Sequence, residues 1–245
     1  MNTISKIFMP AVTSVLMLVA CGNSKPKLSE GQIKEINEQA QFPDSIKPSE
    51  TLRFDFEDYS ANQLPDNWTQ YYTGSGGTDW KVMDDNGNKV MAQLYSDNPN
   101  SHFNIVVNNN VTAKDMVLTA RLKGVNGNHD QGGGFVWRFT DKNNYYVVRA
   151  NPLEDNVVLY KVENGKRTDL PIVDKGRTYG VDVPTLGNGW NNLKLVVKGD
   201  LFTVFLNGKE LFKVQDETFT EAGKVGFWTK ADAVTYFDDF EIEKY

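Results

Sequence analysis

From residue 51 to residue 245 no segment of this chain sustains a helical period, and that constrains the fold more than any other feature. In its place stand short β-favouring runs separated by turn signals, at 52–57, 80–83, 89–93, 102–107, 116–123, 134–140, 145–151, 157–163, 191–198, 201–206, 209–214, 224–229 and 234–243. Met116, Leu118, Ala120 and Leu122 alternate with Val117, Thr119, Arg121 and Lys123, the pattern of a strand with one buried face. Asn207-Gly208, between FTVFL and KELFKV, predicts a type I′ hairpin, because that turn needs positive φ at two successive residues. Glu163-Asn164-Gly165-Lys166 and Asp85-Asn86-Gly87 predict two more tight turns. Short strands joined by short turns pair antiparallel. The expected fold is therefore all-β, a two-sheet antiparallel sandwich over residues 51–245.

The first fifty residues follow different rules. Lys6 supplies a positive start, and residues 7–19 are an apolar run shorter than the about 20 residues that a membrane-spanning helix needs. Leu18-Val19-Ala20-Cys21 resembles a bacterial lipobox. That resemblance implies a lipoprotein signal peptide over residues 1–20, with Cys21 acylated as the first mature residue. The expected location is the bacterial cell envelope, lipid-anchored, at the outer membrane facing the periplasm. Cys21 is the only cysteine, so no disulfide forms within the chain. Residues 21–50 are polar, carry Pro26, Pro43 and Pro48, and read as a tether. Within it Ser29 and Gln32 predict a capping box that opens a short helix ending near Ala40, with Leu28, Ile33 and Ile36 as its thin apolar face.

Charge narrows the partners. The full chain has a net charge of −6, and removal of residues 1–20 takes away Lys6 and leaves −7. That balance argues against a nucleic-acid or anionic-lipid partner, since both need a basic patch. Two histidines and one cysteine leave little from which to build a zinc or copper site.

The stretch GGGFVWRFTDKNNYYVVRAN, residues 132–151, reads as an aromatic hairpin. If residues 141–144 form its loop, Trp137 pairs with Val148 and Phe139 with Tyr146. Phe135, Trp137, Phe139, Tyr146, Val148 and Ala150 then face the core, while Gly134, Val136, Arg138, Tyr145, Val147, Arg149 and Asn151 share the other face. Sugars and acidic sugars are recognised by ring stacking together with planar, bidentate donors. Arg138, Tyr145, Arg149 and Asn151 are accordingly candidate ligand-binding residues. The alternative is that Arg138 and Arg149 pair with Glu154 or Asp155. Gly132, Gly133 and Gly134 admit a close backbone or ligand, or mark a bulge. Trp228 and Lys230, where a strand meets a loop, join the candidates, although the pattern around Trp228 favours a core position for it. Trp68, Tyr71 and Tyr72 fall in a polar, glycine-rich region and are further possible stacking platforms.

Three segments carry a family resemblance: DQGGGFVWRFTDKNNYYVVRANPLEDNVVLYKVENGKRTDL, WNNLKLVVKGDLFTVFLNGKELFKV and GKVGFWTKADAVTYFDDFEIE. They resemble the laminin-G-like, concanavalin A-like jelly rolls of bacterial exported proteins and, more narrowly, the 3-keto-disaccharide hydrolase branch. The resemblance implies a jelly roll whose concave sheet holds carbohydrate. It also covers glycosidases, lectins and adhesion modules, so fold alone does not choose among them. Three functions stay open: an envelope-anchored carbohydrate-binding or accessory glycan-recognition lipoprotein, a glycoside hydrolase acting on 3-keto-disaccharides or related glycans, and a structural envelope module that binds another protein.

Two acid clusters follow from the resemblance. Retaining glucanases of this fold space Glu, Asp and Glu along one strand, and Tyr236, Asp238 and Glu241 occupy that spacing here. Tyrosine stands where the nucleophile should be, and retention needs two carboxyl groups about 5 Å apart. No catalytic residue is assigned on that basis. The resemblance also implies one structural Ca²⁺ where the first and last strands meet, with Asp55, Glu57, Asp238 and Asp239 as oxygen ligands. The alternative is that these acids are solvated edge residues.

Overall fold

The computed structural model describes residues 28–245, so the expected signal peptide and Cys21 lie outside the described residues. Helix α1 (Glu30–Gln39) opens on the expected capping box: Ser29 Oγ accepts from the Gln32 backbone N–H while Gln32 Oε1 accepts from the Ser29 N–H. None of its residues is buried.

Sixteen strands follow. They are β1 (Glu50–Phe54), β2 (Trp68–Thr73), β3 (Trp80–Asp84), β4 (Lys89–Gln93), β5 (Phe103–Ala113) and β6 (Met116–Asn126). Next come β7 (Gly133–Asp141), β8 (Asn144–Asn151), β9 (Asn156–Glu163), β10 (Lys166–Asp169) and β11 (Val181–Asp182). The last are β12 (Asn191–Lys198), β13 (Leu201–Leu206), β14 (Lys209–Gln215), β15 (Gly223–Lys230) and β16 (Val234–Lys244). Every expected run is a strand. Three strands were not expected: β2, β10 and β11.

The strands form two antiparallel sheets. The first runs β14-β13-β12-β6-β16-β4-β3, with β1 paired to β16, and the second runs β10-β9-β8-β7-β15-β5-β2, with β11 paired to β9. Neighbours distant in sequence pair in both, and the sheets stack as a jelly-roll sandwich. The tight turns take the backbone their residues favour: Asn207 and Gly208 have φ of 49° and 79°, Asn164 and Gly165 of 52° and 76°.

Alternation along each strand divides the apolar residues between two places. Between the sheets lies the main core, with Phe135, Trp137, Tyr146 and Val148 from the second sheet meeting Leu118, Leu195, Phe202 and Phe240 from the first. Trp68 belongs to it through β2, not to a loop platform as the sequence suggested. A second cluster lies on the outer face of the second sheet, where Val136, Tyr145, Val147, Val158, Tyr160, Val162 and Trp228 occupy the alternate positions. Burying an aromatic side chain stabilises by roughly 2–3 kcal/mol, so both clusters hold this sheet in place.

Residues 40–42 pack against the opposite side of the molecule. Thr203 Oγ1, on the outer face of the first sheet, donates to the Ala40 carbonyl at 3.0 Å, and Phe42 stacks on Tyr245 with centroids 3.7 Å apart.

The β7–β8 hairpin departs from the expected register. Trp137 pairs with Tyr146, not Val148, and the ladder breaks between Trp137 and Asp141. Arg138 sits in the break with φ at 46°. This bulge shifts the alternation, so Phe139 joins the outer cluster rather than the core.

Candidate functional site

Five of the six candidate ligand residues share one surface, the outer face of the second sheet. Tyr145, Arg149 and Asn151 reach it from β8, and Trp228 and Lys230 from β15. Arg138 does not. The bulge turns its guanidinium to the end of the sandwich, over the Phe202 ring, where it donates to three main-chain carbonyls. These belong to Phe219 at 2.7 Å, Gly199 at 2.5 Å and Lys114 at 3.1 Å, and the side chain is 1% exposed. Arg138 ties three turns together, and its assignment as a ligand residue is corrected on that ground.

Arg149 is buried but stays on the outer face. Its Nη2 donates to Glu154 at 2.6 Å and its Nη1 to Asn156 at 2.9 Å, the pairing that competed with ligand binding in the sequence. Burial alone would raise the Glu154 carboxyl, but Arg149 beside it outweighs that and holds it below the usual carboxylate range. The stem of Arg149 crosses Gly132, where a Cβ would lie 2.9 Å from Arg149 Cδ and 2.8 Å from Asp130 Oδ1. A Cβ on Gly134 would sit 2.0 Å from the Val148 carbonyl. The glycine run therefore makes room for the protein's own chain.

Lys230 reaches Asp130 at 3.1 Å. Asp130 is held in turn, because Asp232 accepts from the backbone N–H groups of Asn128, His129 and Asp130 at 2.6, 3.0 and 3.0 Å. Burial would raise the Asp232 carboxyl, and these three donors outweigh it and pull it down.

Arg167 and Tyr160, at the centre of this face, are the residues that the sequence reading missed. The Arg167 guanidinium lies 4.4 Å from the Tyr160 ring centroid, 5.1 Å from that of Phe103 and 5.9 Å from that of Trp228. Arg149 lies 5.9 Å from the same Tyr160 ring. Tyr179 meets Tyr160 edge-on at 5.9 Å, is 44% exposed and has φ of 55°. A type I′ turn at Asn164-Gly165 fixes the pairing of Val162 with Arg167 and of Tyr160 with Asp169, so the ENGK signal together with the Val158-Tyr160-Val162 alternation pointed to both.

This face has a closed floor and a polar rim. Tyr145, Tyr160 and Trp228 are at most 1% exposed, and burial pushes the Tyr145 and Tyr160 phenols up, so both stay neutral donors. Arg167, Lys230, Tyr71 and Tyr179 remain accessible above it. Of twelve buried side-chain polar atoms without a well-formed hydrogen bond among the described residues, six belong here: Arg149 Nε, Asn151 Nδ2, Tyr160 Oη, Arg167 Nη1, Asp169 Oδ2 and Trp228 Nε1, of which Tyr160 Oη and Trp228 Nε1 lie beside the Tyr179 and Tyr145 phenols. Such atoms are costly to leave unpaired. Beside the rim a groove of 520 Å³ opens between Tyr71, Tyr72, Gly77 and Lys142. A larger cavity of 670 Å³ lies away from this face, between residues 171–176 and 215–217.

The acids of the expected calcium site do not converge. β1 does pair with β16, bringing the two groups near one edge, but Arg121 takes both aspartates, Asp238 at 2.7 Å and Asp239 at 2.6 Å. Glu57 caps the backbone N–H of Lys89 at 2.9 Å, and Asp55 caps that of Glu57 at 3.2 Å. Among the described residues no three His, Cys, Asp or Glu side chains gather as a cation would need. Asp238 and Tyr236 point to the outer face of the first sheet, opposite Arg121 and Lys123, and Glu241 pairs with Arg53.

No family model matches the chain, and no curated protein matches it. Solved structures do. A carbohydrate-binding module from Bacillus subtilis, CBM66, is 20% identical with a TM-score of 0.57, over 76% of this chain and 99% of the module. The cellulose-induced protein Cip1 is 15% identical with a TM-score of 0.54, over 79% of this chain and 97% of that one. The GH43 protein BlXynB from Bacillus licheniformis is 15% identical with a TM-score of 0.50, over 79% of this chain and 39% of its own length. These likenesses establish the fold, a two-sheet jelly-roll sandwich.

Proposed function

We propose that this chain is an envelope-anchored glycan-recognition lipoprotein that binds sugar on the outer face of its second sheet. The carrying observation is the gathering there of Arg167, Lys230, Tyr71 and Tyr179, all accessible above one closed aromatic floor. Aromatic surface plus planar donors suits sugar rings, whose faces are apolar and whose edges are hydroxyls. A carbohydrate-binding module with the same fold supports the reading.

The anchored part rests on the resemblance of Leu18-Val19-Ala20-Cys21 to a lipobox.

A glycan array of neutral and acidic oligosaccharides, followed by calorimetry, tests the binding. No binding to any glycan by folded protein would overturn it. Fractionation of cells carrying Cys21→Ala tests the anchor, with transfer from the membrane to the soluble fraction as the expected result.

A further inference from the structure

We infer that Arg167 reads a carboxylate, so that the preferred ligand carries an acidic sugar, a uronic acid, at this position. The inference rests on the glycan-binding reading of the same face and adds the charge of the ligand to it.

The argument is a charge balance on one surface. Arg149 has Glu154, Lys230 has Asp130 and Arg177 has Asp169, so three cations of this face each have their own acid. The Arg167 side chain makes no salt bridge and no hydrogen bond among the described residues, although its backbone pairs with Val162. Its guanidinium lies instead among aromatic rings, 4.4 Å from the Tyr160 centroid and near Phe103 and Trp228, with Nη1 buried. Stacking fixes the plane of a guanidinium without using its fork of donors. The half-exposed side of Arg167 is thus a rigid cation whose bidentate edge is unspent.

A planar carboxylate complements that edge with two parallel N–H···O bonds. A neutral hydroxyl offers one acceptor and leaves the charge uncompensated. The floor also excludes the opposite arrangement: Tyr145 and Tyr160 are buried and neutral, so neither supplies an anion to Arg167.

The test compares trigalacturonic acid with its methyl ester by calorimetry, since the two differ in charge and not in ring structure. The acid should bind about ten- to a hundredfold more tightly than the ester, the range of a hydrogen bond between charged groups. Arg167→Gln, checked for folding by thermal melting, should bring that ratio to about one, and Arg167→Lys, which keeps charge without the fork, should restore only part of it. Equal binding of acid and ester by the wild type overturns the inference, as does an acid preference that survives Arg167→Gln. If neutral glycans bind while the acid shows no advantage, glycan recognition stands and the carboxylate reading falls. If no glycan of any kind binds, both fall.

Discussion

Arg138 and Arg149 stand on hydrogen-bonded neighbouring strands and face different surroundings: Arg138 clamps three carbonyls at the end of the sandwich, and Arg149 pairs with Glu154 on the outer face of the second sheet. The divergence begins at the bulge. Gly223 of β15 permits it, because a Cβ there would lie 2.6 Å from Arg138 Cα.

Arg138 is consequently a stability residue. Arg138→Ala empties the site of a side chain that is 1% exposed and removes its hydrogen bonds to the Phe219, Gly199 and Lys114 carbonyls, and a hydrogen bond from a charged group is worth about 1.5–3 kcal/mol. The expected loss is about 3 kcal/mol or more in equilibrium urea unfolding. Arg138→Lys should recover only part, since one ammonium does not span three turns. A change within about 0.5 kcal/mol, the range of ordinary surface positions, would show that the clamp carries little.

Arg121 takes the place expected for a metal cation. It neutralises Asp238, which is buried, and Asp239, which is exposed. Arg121→Gln leaves the two carboxylates uncompensated and is expected to cost about 2 kcal/mol, below the value of a fully buried pair because one partner is screened by solvent. With Arg121 in place, a chelator should leave the melting temperature unchanged. A fall in melting temperature on adding chelator would restore the metal site.

Asp232 makes acid stability depend on one loop. Its folded pKa lies below the ordinary 3.8, because three backbone N–H groups outweigh its burial. As pH falls, the unfolded chain takes up the proton first. The stabilisation is therefore complete above about pH 3.8 and is lost as pH drops through the lower folded value. Asp232→Asn should flatten unfolding free energy against pH in that window and loosen Asp130, which orients Lys230. Urea unfolding from pH 2 to pH 6 (roughly two units on either side of the ordinary value) measures the slope.

Local rules were legible wherever a turn or a cap fixed the backbone. Ser29 and Gln32 predicted α1, Asn207-Gly208 predicted the β13–β14 hairpin, and the Met116–Leu122 alternation gave the buried face of β6. The position of Arg138 was not legible. Its bulge is set by carbonyls 24, 61 and 81 residues away, and no local pattern reports such partners. β10 escaped notice for another reason. KRTD is short and polar, and it is a strand only because the Asn164-Gly165 turn folds it onto β9. Arg167, the centre of the site, came with that strand.

Tyr179 supplies the last prediction. It is exposed, held at φ of 55° and set edge-on to Tyr160, an arrangement that costs backbone energy and presents a ring to solvent. Bulky residues rarely adopt that backbone, and strain of this kind gathers where ligands bind. Tyr179→Asn separates the two roles, because asparagine tolerates the left-handed region and carries no ring. Stability should change by no more than about 1 kcal/mol, the worth of an edge-to-face ring contact. Affinity for the tightest glycan of the array should fall about tenfold, equivalent to about 1.4 kcal/mol. Tyr179→Phe keeps the ring and should bind within about twofold of wild type if stacking is the contact. Should Tyr179→Asn bind as tightly as wild type, the strained tyrosine only packs on Tyr160, and the sugar meets Arg167 without it.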